Sequence, residues 1–226
     1  MRVEVRRSRL LRLVLALGAG PTALAGPPDP AESPTERFLS RSERHPSYRA
    51  TRRLEAANGS RTGWLEASTT YSARTGFDYQ ILRGGGSDYI RDNVLEAVLE
   101  AERDAIAHGE AGRSTLARVN YTFQPDGINA DGLAKVLLSP RRKERTLVAG
   151  VMFLRPDEGE LVRLQGRLAK NPSFWVKDVD IVRTYERINA LVVPVAMNST
   201  ARIRFLGGAT FSMTYDYTEI DGSPVR

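Results

Sequence analysis

The segment Thr210-Phe211-Ser212-Met213-Thr214-Tyr215-Asp216-Tyr217-Thr218 decides the fold. Phe211, Met213, Tyr215 and Tyr217 fall on one side of an extended chain, and Ser212, Thr214, Asp216 and Thr218 on the other. A period of two with β-favouring residue types describes a strand with one apolar and one wet face. The preceding stretch repeats the pattern with Val193, Val195, Met197, Ala201, Ile203 and Phe205. A wide apolar sheet face has to be covered by a second layer.

Working outward, the same signature returns along most of the chain. Strands are expected over about Val176–Ile188, Val192–Phe205 and Thr210–Ile220, separated by Asn189-Ala190 and Gly207-Gly208. Leu147–Leu154 turns through Pro156 and Gly159 into Leu161–Leu168. Earlier strands carry Val119, Tyr121 and Phe123, then Ala134, Val136 and Leu138. Tyr48–Ala57 leads into Asn58-Gly59, a hairpin signal, and Trp64–Ser72 returns. A further strand holds Phe77, Tyr79 and Ile81 before Gly84-Gly85-Gly86, which reads as a turn or hinge that breaks the sheet. A phosphate-binding loop is excluded there because no lysine follows at the required spacing. Short connections between successive strands imply an antiparallel meander.

Two helices supply the cover. Asp88–His108 is expected as the long one, with Ile90, Val94, Leu95, Val98, Leu99 and Ile106 in an apolar stripe and Gly109 beyond its end. The short one starts at Ser33-Pro34-Thr35-Glu36, a cap, a first-turn proline and a capping-box partner, and runs to about Arg44. The expected class is mainly β (α+β): a strongly curved antiparallel sheet, or incomplete β-barrel, covered by one long and one short helix. Two helices on eight or so long strands leave either an apolar hollow or a core filled by side chains. Alternation alone favours the filled core.

The N-terminus reads as an export signal. A basic segment with Arg2, Arg6, Arg7 and Arg9 precedes the apolar run Leu10–Leu17 and the small residues Ala23-Leu24-Ala25. The expected organisation is a cleavable signal peptide at 1–25, a flexible proline-rich leader at 26–33, and one domain over 34–226. The apolar run is about half of the ~20 residues that span a bilayer, and nothing after residue 26 is long or apolar enough to do so. The chain has 33 basic and 27 acidic residues and a net charge of +6. Residues 1–25 hold five arginines and one glutamate, so the exported chain keeps 28 basic and 26 acidic side chains. That balance gives no electrostatic footprint for nucleic acid. The absence of cysteine removes disulfides, thiol catalysis, cysteine-held metals and a lipidated N-terminal cysteine.

The sequence does not read as an enzyme. His45 and His108 are expected at helix ends, neither at a metal-ligand spacing, and no cofactor or metal is implied. Asp178 and Asp180, two apart on a strand, share a face that is expected to be wet. No G-x-S-x-G elbow occurs. An exported hydrolase would instead need a polar cleft with carboxylates of raised pKa.

One resemblance adds to this reading. Gly166-Arg167-Leu168-Ala169-Lys170-Asn171-Pro172-Ser173-Phe174-Trp175-Val176 is followed by Val179–Ile188, by Val192-Val193-Pro194-Val195, and by Phe211–Tyr217. This order resembles the outer-membrane lipoprotein-sorting, LolA-like superfamily, best over about 145–220 and extending from about 45. The resemblance implies a half-barrel plugged by helices, located in the periplasm. It implies a lipid or lipoprotein acyl chain as cargo, or else an envelope-sensing role with envelope proteins as partners. It supplies no cargo motif that aligns residue by residue. From alternation, Phe77, Tyr79, Tyr121, Phe123, Phe211, Met213 and Tyr215 are the candidate lining of the hollow, with Trp175 near its mouth.

Overall fold

The computed structural model describes residues 33–41, 45–173, 176–204 and 207–225. The expected signal peptide and residues 26–32 of the expected leader lie outside the described residues. The chain order is α1 (Pro34–Ser40), β1 (Tyr48–Asn58), β2 (Arg61–Ser72), β3 (Gly76–Gly86), a long helix, then β4 (Tyr121–Ile128), β5 (Ala134–Pro140), β6 (Val148–Leu154), β7 (Leu161–Leu168), β8 (Val176–Ile188), β9 (Leu191–Ile203), β10 (Gly207–Ile220) and β11 (Ser223–Pro224). The long helix is built from α2 (Asp88–Ile90), a π-helical turn (Arg91–Leu95) and α3 (Glu96–Ala107).

The strands form one antiparallel sheet in the order β3-β2-β1-β10-β9-β8-β7-β6-β5-β4, with β11 beside β10. β3 and β4 form its two edges and do not meet, so the sheet does not close. β4 to β10 is the expected meander. The step that the meander does not contain is the pairing of β1 with β10, which brings Leu54 opposite Met213 and Arg52 opposite Tyr215. Register shifts interrupt five of the strand pairs. Each such bulge adds local twist and bends the strands, which curves the sheet around its apolar face.

The N-terminal hairpin forms one residue later than the Asn-Gly signal suggests. Asn58 pairs with Arg61 as the last rung, so the two-residue turn is Gly59-Ser60. Gly59 takes φ +60° while Ser60 does not take positive φ, the pattern of a type II′ turn with glycine first. The Gly84–Gly86 triplet also departs from expectation. It does not break the sheet; β3 runs through it, with Gly84 opposite Leu65 and Gly86 opposite Gly63. A Cβ on Gly85 would lie 2.9 Å from Trp64 Nε1, so these glycines let strand and indole approach closely. Val119 lies in the loop before β4 and is exposed.

The helices lie over the apolar face. Ile90, Leu95, Val98 and Leu99 pack on Leu54, Leu65, Phe77, Ile181, Met197, Phe211 and Met213. Phe38 of α1 covers a second cluster, with Tyr121, Val136, Met152, Leu164 and Tyr185. Ser33 caps α1 by accepting from the Glu36 N–H at 3.2 Å, as its sequence predicts. α1 ends at Ser40, so His45 is not a helix terminus.

Candidate functional site

The candidate lining residues do not form one group. Phe77, Phe211 and Met213 are buried under the long helix, with Tyr79 and Tyr215 partly buried beside them. Tyr121 and Phe123 belong to the other cluster, under α1. The reason is topological: β4 is the sheet edge opposite β3. Trp175 lies outside the described residues. Phe77, Phe211 and Met213 are 4%, 7% and 2% exposed, so in this conformation they are packed core and do not border an open hollow.

Between them sits a feature the alternation reading passed over. Tyr48, Ala50, Arg52, Leu54 and Ala56 are the inward positions of β1. Leu95, Val98, Leu99, Glu102 and Ala105 are the buried stripe of the helix. Each stripe therefore contains one charge, and the fold sets the two face to face. Arg52 is 0% exposed and Glu102 1%. Arg52 Nη1 donates to Glu102 Oε2 at 2.7 Å and Nη2 to Oε1 at 3.1 Å, a forked pair. Nη2 also donates to the Tyr48 hydroxyl. The guanidinium lies 4.6 Å from the Tyr215 ring centroid and 4.9 Å from that of Phe77. Its Nε finds no acceptor among the described residues. Reading the parity of each stripe for a charge on the wrong side would have found both residues.

The environment keeps the guanidinium charged and the tyrosines neutral. Burial opposes the Arg52 charge, but Glu102 beside it holds the pKa well above the ordinary guanidinium value. Burial pushes the Tyr215 hydroxyl up to about 12, against the pull of Arg52. Tyr48 is raised by the same burial.

A crevice of about 50 Å³ opens at the C-terminal end of the helix, bordered by His45, Tyr48, Tyr71, Glu102, Ile106 and Tyr217. Its exposed surface is mostly apolar. Small-molecule sites enclose roughly 300–1,000 Å³, so the crevice in this conformation holds no acyl chain. The rings of Tyr48 and Tyr71 stack at 5.9 Å, as do those of Tyr215 and Tyr217. His45 meets Tyr71 edge-on at 6.4 Å. A second groove, about 240 Å³, runs beside the π-helical turn between Leu65, Ile81, Gly84, Arg91, Asp92 and Glu96.

Glu160 is buried between Arg41 and Arg187, and several other charged groups form surface pairs. Asp178 takes φ +47° at a bulge, which breaks the expected two-residue spacing with Asp180. Asp178 meets Arg202, and Asp180 accepts from Arg167 Nε at 3.0 Å. Hydrogen bonds from Arg83, Arg103 and Arg142 hold Glu66, Glu100 and Glu144 below the usual carboxylate range. Among the described residues no cluster of three or more His, Asp or Glu side chains is placed to hold a metal. No helix among them is long and apolar enough to cross a membrane.

No protein-family model matches the chain, and no curated protein matches it. Among solved structures it is similar to the crystal structure of a DUF1329 family protein from Desulfovibrio piger ATCC 29098. The identity is 8% and the TM-score 0.38, over 75% of this chain and 83% of that one. A likeness of that size assigns neither a family nor a function.

Proposed function

We propose that the protein is an exported, LolA-like carrier of the periplasm that shelters the acyl chain of a lipid or lipoprotein on the apolar face of its unclosed sheet. In this reading the 88–107 helix is a lid, shut in the conformation described, and the protein is a binder with no catalytic step. The observation that carries the proposal is the way the helix is held: among the described residues one buried, forked ion pair joins it to the sheet, beside an apolar crevice at one end, with a part-buried hydrogen bond from Tyr79 to Glu100 as a further tie.

The magnitudes make such a lid exchangeable. Burying a chain of about 14 methylenes contributes roughly 11 kcal/mol at about 0.8 kcal/mol each. Lifting the helix exposes Ile90, Leu95, Val98 and Leu99, each worth roughly 1.5–3 kcal/mol. The two apolar terms nearly cancel. The ion pair then sets the balance, because withdrawing Glu102 leaves Arg52 unpaired in apolar surroundings at about 3–5 kcal/mol.

The close packing of Phe77, Phe211 and Met213 favours a second reading, an envelope protein-interaction or stress-sensing module with a permanently filled core. The edge strand β3 would be its contact surface, since Ile81 and Leu82 are exposed there, 41% and 54%, and free strand edges recruit partner strands.

One experiment separates the two. The exported chain is purified from a periplasm without detergent and its extractable lipid is measured by mass spectrometry. The carrier reading expects near-stoichiometric acyl lipid and a hydrophobic dye that the lipid displaces. Lipid-free protein that binds no dye, yet crosslinks to an envelope protein, sinks the carrier.

A further inference from the structure

We infer that the ligand of this face is an anionic amphiphile whose headgroup replaces the Glu102 carboxylate on Arg52. The inference rests on the carrier reading above. Arg52 belongs to β1, paired on both sides by β2 and β10, so it stays with the sheet. Glu102 belongs to α3 and leaves with the helix. The pair therefore straddles the one junction that has to open.

What remains around the guanidinium after the helix lifts is also on the sheet. Tyr48 still accepts from Nη2, and the rings of Phe77 and Tyr215 still flank the cation. Only the forked acceptor is missing. A guanidinium offers two parallel donors that fit a carboxylate or a phosphate edge on, and Nε adds a third donor with no acceptor. The crevice stops one side chain short of this position in the closed conformation: Tyr48 and Glu102, both partners of Arg52, border it. A headgroup entering there meets Arg52, while its tail continues along Met213 and Phe211, the apolar neighbours on β10. A neutral tail of equal length leaves the charge unanswered. Carboxylate and phosphate heads share the required chemistry, and the test includes both.

Dye displacement at pH 8 with myristate, myristyl phosphate and myristyl alcohol, all with the same tail, reads the preference directly. The wild-type chain is expected to bind at least one of the two anions about tenfold or more tighter than the alcohol. The tighter anion then indicates which head is native. Glu102→Gln weakens the closed state alone, so it tightens anion and alcohol by the same factor and keeps their ratio. Arg52→Met brings the ratio to about one while the alcohol still binds. Arg52→Lys, which keeps the charge and loses the fork, lowers the ratio without abolishing it, and serves if the Met variant does not fold. Equal binding of alcohol and anions by the wild-type chain, or a preference that survives Arg52→Met, overturns this inference and leaves the carrier standing. No binding of any of the three ligands by wild type and Glu102→Gln overturns both.

Discussion

Ala190 holds a φ of +66° next to Asn189 at +49°, so the turn between β8 and β9 is of type I′, built on Asn-Ala. Both central residues of that turn need left-handed backbone. Asn accepts it, but a Cβ makes it cost about 1–2 kcal/mol at alanine. The same turn recurs between β10 and β11 on Asp221-Gly222, where the favoured residue is in place. Ala190→Gly should therefore stabilise the fold by about 1 kcal/mol after the extra freedom of glycine in the unfolded chain is deducted. Thermal unfolding should shift up by roughly 2–4 °C, and an unchanged or lower midpoint contradicts the strain. Arg52 and Glu102 present the opposite case, two costly residues that need each other. Glu102→Leu leaves the guanidinium buried and unpaired and should destabilise by about 3–5 kcal/mol, whereas Arg52→Met with Glu102→Leu should come within about 1 kcal/mol of wild type or exceed it. Urea unfolding of both variants checks this. If the double variant is as weak as the single one, the pair is scaffold and the proposed carrier loses its latch.

At the scale of elements, close approach of backbones governs the outcome. Gly150 on β6 faces Gly166 on β7 as a direct partner. A Cβ on Gly150 would lie 2.1 Å from the Gln165 carbonyl oxygen, a backbone atom that cannot swing aside. At Gly63 the obstacle is the Ile90 side chain, 2.9 Å away, so that glycine seats the start of the long helix on β2. Gly208, with ordinary φ, has nothing within 4 Å. Alanine should thus be most damaging at 150, intermediate at 63 at about 1–3 kcal/mol, and near neutral at 208, as chemical denaturation of the three variants will show. Any other order refutes the geometric account. The π-helical turn at Arg91–Leu95 belongs to the same seat. Ile90 and Leu95 are five residues apart, which in a regular α-helix separates them by about 140°. The wider turn rephases the helix so that both side chains, 1% and 0% exposed, reach the sheet.

For the molecule as a whole, what could be read in advance follows the range of the interactions. Strand positions were legible because side-chain alternation is local: Phe211, Met213 and Tyr217 face inward as their period demands. The gathering of strands was not, because no local signal pairs β1 with β10 or sends β4 to the far edge. For that reason Tyr121 and Phe123 parted from Phe77 and Tyr215, and the setting of Arg52 stayed hidden although its parity did not. That non-local closure also concentrates tyrosines: Tyr48, Tyr71, Tyr215 and Tyr217 meet only once β1, β2 and β10 are adjacent. Burial raises the hydroxyls of Tyr48, Tyr215 and Tyr217 above their ordinary value near 10, Tyr215 to about 12. A group with a raised folded pKa contributes stability that is complete below its unfolded pKa and is lost as pH climbs toward the folded one. Stability should therefore hold up to about pH 10 and fall steeply between about pH 10 and 12. In a titration followed at once by tyrosinate absorbance and far-ultraviolet dichroism, a first set of phenols should ionise with the sheet intact, and the buried ones only together with its collapse. Complete ionisation of the tyrosines in a chain that keeps its β signal would mean that water reaches Tyr48 and Tyr215 without unfolding. The closed seat of Arg52 would then be open in solution.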